Sequence, residues 1–522
     1  LSLSGNNGPW GIYLAGTRQF SNMRLEPVAT DSSASKILNF HNQGTDTYGF
    51  GKLQYAPSPT NVVALDLNAS RTHFAVPFDS SETGLQNDHQ TDFNAFANLA
   101  WHHELGSTKS GATKSDVFVG LFFRRATLRY DADPRDEPQF VFFPDVKDTF
   151  NLSEQREANT YGVKADYAYR PSDPLEVKFG TLTSFTSGHE NFATFNATGA
   201  HGPQSLAGLN GSDVGVYAQT AYTPTELIEL RAGLRFDAHT APFIGTATQL
   251  SPRVRLNIYP GSATTLYAYY GRLFMPTNIE DLRAVTSAAV GGQVTQGTEP
   301  ERDHFFEAGV IRRFSGLGLV TKLSAYHKRS DPGIDDNTVP GSAIVTDVNI
   351  AHVRITGIEG VLELRPDSAF SAYANLALNH AYGMGTITGG FFPSSPPSSP
   401  AFDLDHDQRL SIVGSATYSL SRAYVSGTVI YGSGLTNGQG PSDCGCSYGT
   451  GLFDFNPSIH VAPSTILNLS GGYSIIVKGA VVEPSIYVEN VFDRIYVLKG
   501  AFFSGPSVGR PRSIQLKLKA SI

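Results

Sequence analysis

Residues 512–522 read RSIQLKLKASI. Successive side chains of an extended strand point to opposite faces, so Ile514, Leu516, Leu518, Ala520 and Ile522 share one face while Gln515, Lys517, Lys519 and Ser521 share the other. One face suits hydrocarbon and the other suits water. The pattern runs to the final residue, where the ends of soluble domains usually fray.

The same two-residue period recurs along the chain. Val63, Leu65, Leu67 and Ala69 alternate with Asp66, Asn68 and Ser70; Tyr161, Val163, Ala165, Tyr167 and Tyr169 with Lys164 and Asp166. Ile228, Leu230, Ala232, Leu234 and Phe236 alternate with Glu229, Arg231, Arg235 and Asp237. Phe370, Ala372, Ala374, Leu376 and Leu378 stand opposite Asn375 and Asn379. Helical periodicity is scarce, so the chain reads as all-β.

Composition agrees. Of 522 residues, 16% are charged and 52 are glycine, against roughly 25% charged in ordinary soluble proteins. A net charge of -8 excludes the basic footprint of a nucleic-acid binder. No apolar run approaches the roughly 20 residues that a spanning helix requires, and mean hydropathy is -0.17, which excludes a helical membrane protein. The opening LSLSGNNGPW has neither the basic nor the apolar region of a signal peptide.

Two kinds of connection take turns. Tight ones occur at 56–60, 105–111, 171–174, 223–226, 260–263, 315–318, 366–369 and near Ser421, each with Pro, Gly, Asp or Ser turn chemistry. Long ones lie between them, such as PTNIEDLRAVTSAAVGGQVTQGTEPERD and GMGTITGGFFPSSPPSSPAFDLDHDQ. Such loops count against a compact soluble domain. They fit an outer-membrane barrel, with short periplasmic turns on one rim and long extracellular loops on the other. A sandwich uses fewer strands, and a propeller would show a blade repeat.

Tight turns recur about every 50 residues, which gives about 20–22 antiparallel strands. LSLSG, NNGP and WGIYLAGTRQF read as the tail of a strand, a turn and a full strand. An even-numbered barrel then needs one strand before Leu1. Because lipid tolerates no open sheet edge, the last strand is expected to close on the first. Tyr and Phe near strand ends, as in LQYAP, YAYRP, NIYPG and LYAYYGRLF, suit an interfacial aromatic belt.

Several stretches resemble the barrel domain of TonB-dependent outer-membrane receptors. VENVFDRIY is similar to the family's penultimate-strand signature, here Asn490, Val491, Phe492, Asp493 and Tyr496. The stretch from Ser251, Pro252 and Arg253 to Phe274, Pro276, Ile279 and Leu282 resembles the central hairpin; GTEPERDHFFEAGV, with Glu307 and Gly309, and NIAHVRITGIEGVLEL, with Asn349, Gly357, Glu359 and Gly360, resemble later strands. LDHDQRLS, with Asp405 to Arg409, is similar to a stretch frequent in the subgroup with a carboxypeptidase-regulatory-like N-terminal domain. The resemblance is strongest over the C-terminal half.

Residues 1–522 then form a single barrel domain. The family's TonB box and plug have no counterpart in it, and Ile522 stands where the family usually ends on an aromatic residue. The resemblance implies a protein of the Gram-negative-type outer membrane, surrounded by lipid and energised by a TonB-type protein acting through the plug. It implies active import of a scarce nutrient (ferric siderophore, cobalamin, or oligosaccharide or peptide), with no covalent chemistry and no cofactor. The alternative is a passive, plug-less channel like a porin. A membrane-embedded hydrolase is disfavoured because no Ser/His/Asp arrangement stands at plausible spacing.

The candidate site residues are few. Asp405, His406 and Asp407 form a compact group able to bind a cation or to serve the loop-to-strand transition. Cys444 and Cys446 lie in an outer loop as a disulfide, two free thiols or a metal trap. His102 and His103 of WHHE end a strand beside a tight turn, facing the periplasm, as structural residues or, less favoured, as metal ligands. Arg231, Arg235, Glu229 and Asp237 are expected to line a hydrated lumen.

Overall fold

The computed structural model describes residues 2–21, 43–76, 87–107, 113–131, 140–141, 149–195, 201–242, 244–279, 297–338, 345–365, 369–389, 401–404, 406–436, 460–477, 479–499 and 507–521. Twenty-one strands, from Ser2–Asn7 through Trp10–Ser21 and Gly44–Ser58 to Ala480–Glu489 and Ser513–Ser521, pair antiparallel in chain order. Phe140–Val141, His201–Gly208, Gly333–Thr338, Phe402–Asp403 and Ile475–Val477 join them in one 26-stranded sheet. The architecture is the expected all-β barrel wall of meandering strands.

Turn chemistry sets the inner rim. Asn7 pairs with Trp10 across Gly8–Pro9, and Gly8 has φ 57, a left-handed value that glycine adopts without strain. Leu420 pairs with Ala423, and there Ser421 itself takes φ 46. The turns from Ser172 to Leu175 and from Gly261 to Thr264 fall where the sequence places them, the one from Thr225 to Ile228 falls about two residues later than expected, and those expected at 105–111 and 366–369 lie largely outside the described residues. A 3-10 turn at Ser315–Leu317 fills another.

The faces sort by curvature. Side chains crowd together on the concave side of a closed sheet and splay apart on the convex side. Leu516 and Leu518 are 82% and 71% exposed on the convex face, as are many leucines at alternate positions. Asp166, Asp237, Ser251 and Ser324 are buried although polar, which places them on the crowded concave face. The apolar face therefore looks outward to hydrocarbon and the polar face inward to the lumen.

Closure is not reached among the described residues, and the aromatic expectation is corrected in part. Among the described residues, Ser2–Asn7 pairs only with Trp10–Ser21, and Ser513–Ser521 only with Ala480–Glu489. Both strands run toward the short-turn rim, so they would meet as parallel neighbours; antiparallel closure takes an odd number of strands between them. The aromatic reading also divides. Trp10, Trp101 and Tyr167 are exposed on the outer face near the inner rim, with Tyr55 packed against Trp10 at 4.5 Å. Tyr259 and Tyr267 instead point into the lumen, where each hydroxyl reaches a carboxylate.

Candidate functional site

In a barrel of this size the functional surface is the lumen wall and its rims. The wall is built from carboxylates on alternate strand positions, each held by neighbours on its own strand or an adjacent one. Glu229 accepts from Arg231 Nε at 2.6 Å, Asn257 Nδ2 at 2.8 Å and the Tyr259 hydroxyl at 2.6 Å. Asp237 accepts from Arg235 Nε at 2.7 Å. These are the four charges the sequence assigns to the lumen, and the structure brings them together in two pairs.

Residues that the sequence reading did not assign to the lumen complete the wall. Asp166 accepts from the Tyr217 hydroxyl and lies 3.6 Å from Lys178 Nζ and 3.7 Å from Lys164 Nζ. Glu307 accepts from the Tyr267 hydroxyl at 2.5 Å and lies 3.3 Å from Lys322 Nζ. Each tyrosine lies flat over a glycine directly opposite it in register: Tyr217 over Gly180, Tyr267 over Gly309, and likewise Tyr326 over Gly357. A Cβ on Gly180 would sit 2.3 Å from Asp166 Oδ1 and 2.5 Å from the Tyr217 ring. Glycine at these positions is needed for close approach, which leaves the hydroxyl in reach of its carboxylate.

The outer rim is tied by acids that several side chains converge on. Asp331, following strand Leu319–Ser330, accepts from Arg329 Nε at 2.5 Å and Arg354 Nη1 at 3.1 Å, and its Oδ1 lies 2.6 Å from His352 Nδ1. Burial works to raise the Asp331 carboxyl, and the hydrogen bonds from Arg329, His352 and Arg354 outweigh it, holding the group below the usual carboxylate range.

Of the sequence-selected cation candidates, Asp405 lies outside the described residues. His406 is exposed at a turn, and Asp407 is fully buried. Asp407 Oδ1 accepts the Ala381 N–H at 2.7 Å, and Oδ2 lies 2.7 Å from Arg409 Nε. Arg409 also reaches Asp403 at 2.6 Å, and His380 Nε2 lies 2.8 Å from the same carboxylate. Burial raises the Asp407 carboxyl against the pull of Ala381 N–H and Arg409. Asp407 thus fastens the loop onto its strand. Cys444 and Cys446 lie outside the described residues.

The VENVFDRIY residues form a second fastening. Asn490 is buried; its Nδ2 donates to the carbonyls of Arg494 at 2.8 Å and Arg510 at 3.1 Å, and its Oδ1 accepts from Arg494 N at 3.0 Å. Asp493 Oδ1 accepts from Arg512 N at 2.8 Å, the Tyr496 carbonyl from Gly509 N at 2.8 Å, and Phe492 is exposed. These residues bind the last outer loop to the final strand. At the inner rim, His102 faces the lumen, whereas His103 faces outward, stacked on Trp101 at 5.8 Å.

The comparisons fit this geometry. The family model described as TonB dependent receptor-like, beta-barrel, matches residues 31–491. Comparison with curated protein sequences found no match. Among solved structures, the ferric yersiniabactin uptake receptor FyuA from Yersinia pestis aligns with TM-score 0.72 and 13% identity over 99% of this chain and 76% of that one. The copper transporter OprC aligns with TM-score 0.70 and 15% identity over 99% and 77%. The ferric citrate transporter FecA aligns with TM-score 0.67 and 12% identity over 99% and 74%. At such identities the likeness is one of fold. With its barrel wall, its polar lumen and a family match over most of its length, the chain belongs to the TonB-dependent receptors, a family of transporters and not of enzymes.

Proposed function

We propose that this barrel is the translocation domain of an outer-membrane importer that takes up a scarce nutrient, with energy delivered by a TonB-type inner-membrane partner. The observation that carries the reading is the lumen wall. More than twenty strands enclose a space that wall side chains cannot fill, and the wall facing it carries acids paired with bases and tyrosine hydroxyls on successive strands. Such a wall suits a folded polar domain seated inside and able to slide or rearrange against it.

In this reading a plug and one further strand, both supplied from beyond residues 1–522, complete the barrel. The parallel sense of the first and last strands supports the added strand. The neighbours named for ferric yersiniabactin, ferric citrate and copper make metal chelates the first cargo to test, ahead of cobalamin and oligosaccharides or peptides.

The test is growth of cells in which this gene is the sole uptake route, on a panel of ferric chelates and glycans, with and without the TonB-type partner. One cargo should support growth only when both proteins are present. Uptake that persists without the energising partner overturns the reading in favour of a passive channel.

A further inference from the structure

We propose that the inner rim of the lumen holds a binding site for one divalent transition-metal ion, formed by His102, Glu104 and Asp116. His102 and Glu104 stand two residues apart on strand His89–Ser107 and so project to the same lumen face. Asp116, on strand Thr113–Asp131, is the direct cross-strand partner of Glu104. The ligand atoms of all three lie within 4.8 Å of one another, and each residue is half-buried. His102 Nε2 already contacts Asp116 Oδ2.

The donor set selects the ion. One imidazole nitrogen and two carboxylate oxygens suit Zn²⁺ and its neighbours in the first transition row, whereas Ca²⁺ and Mg²⁺ take oxygen donors alone. Three protein ligands leave further coordination positions open to the watery lumen, so the ion keeps exchangeable ligands. The site is a landing point at the periplasmic mouth.

The test uses the whole chain folded in detergent micelles and titrated with Co²⁺, whose visible absorption reports coordination, followed by Zn²⁺ in competition. One Co²⁺ per chain is expected, displaced by one equivalent of Zn²⁺. His102→Ala, Glu104→Gln and Asp116→Asn should each weaken binding at least about tenfold. Replacing both Cys444 and Cys446 with serine, or His406 with alanine, should leave it unchanged. No binding at millimolar Co²⁺, an unaltered spectrum in folded His102→Ala, or loss of binding in the cysteine variant overturns the proposal. Should His102→Ala fail to fold, pulsed electron paramagnetic resonance of one equivalent of Cu²⁺ in the unaltered chain decides. A single imidazole nitrogen is expected, and none, or more than one, overturns it.

Discussion

The two faces of strand Ile228–Ala241 are held by different physics. Outward, Ile228, Leu230, Leu234 and Phe236 stand exposed side by side, each needing only to be apolar. Inward, Glu229, Arg231, Arg235 and Asp237 are each fixed by a named partner at hydrogen-bond distance. Hydrocarbon asks for a class of side chain, whereas the lumen wall asks for particular ones in particular register. Substitutions should therefore act by polarity on one face and by geometry on the other.

The largest expected effect lies on the lipid face. Leu234→Arg should cost about 2–4 kcal/mol near the bilayer midplane, while Gln219→Glu on the lumen face of the neighbouring strand should stay within about 0.5 kcal/mol; reversible unfolding in lipid vesicles measures both. Equal costs would erase the distinction. On the lumen face the sensitive spot is geometric. Gly180→Ala drives a methyl into Asp166 and the Tyr217 ring and should cost about 1–3 kcal/mol. In a Tyr217→Ala background most of that cost should vanish, a coupling that a double-mutant cycle reads directly.

The rim differs again, since its acids answer to pH. Asp331 is held below the usual carboxylate range. A carboxyl lowered in this way contributes stability above its unfolded value of about pH 3.9, lost as pH falls through its own lower value. Hydrogen exchange at Asp331 N–H, which donates to the Arg302 carbonyl at 3.0 Å, should stay slow at neutral pH and quicken only below that range. Quickening near neutrality would contradict the assignment. The smallest effect concerns the inner turn at Ser421, whose φ of 46 is a left-handed value. Ser421→Gly should stabilise by about 0.5 kcal/mol, visible as a small rise in melting temperature.

What could be read in advance follows the same division. The apolar face and the tight turns were legible because they depend on residue class and local order: the alternation in RSIQLKLKASI and the turn at NNGP lead directly to strand and hairpin. The inward direction of Glu229 and Arg235 followed from the same alternation. The cross-strand partners of Glu229 did not, because Asn257 and Tyr259 reach it from another strand in a register that one segment cannot reveal. Tyr259 and Tyr267 read as belt residues for this reason, since a tyrosine near a strand end serves either face. Extending the outward series Leu99, Trp101 through WHHE would have separated His103 from the lumen-facing His102. Asp331 carried only the signal of a turn, in RSDPG, although arginines and a histidine from two strands converge on it.

The most direct test of the central claim is a nitroxide scan of residues 228–237 in lipid vesicles, recording collision with oxygen, which partitions into hydrocarbon, and with a water-soluble nickel chelate. Oxygen contact should peak at 228, 230, 232, 234 and 236, and nickel contact at the odd positions between them. A flat profile, or oxygen maxima at Glu229, Arg231 and Arg235, would contradict a wall with lipid on one side and a watery lumen on the other.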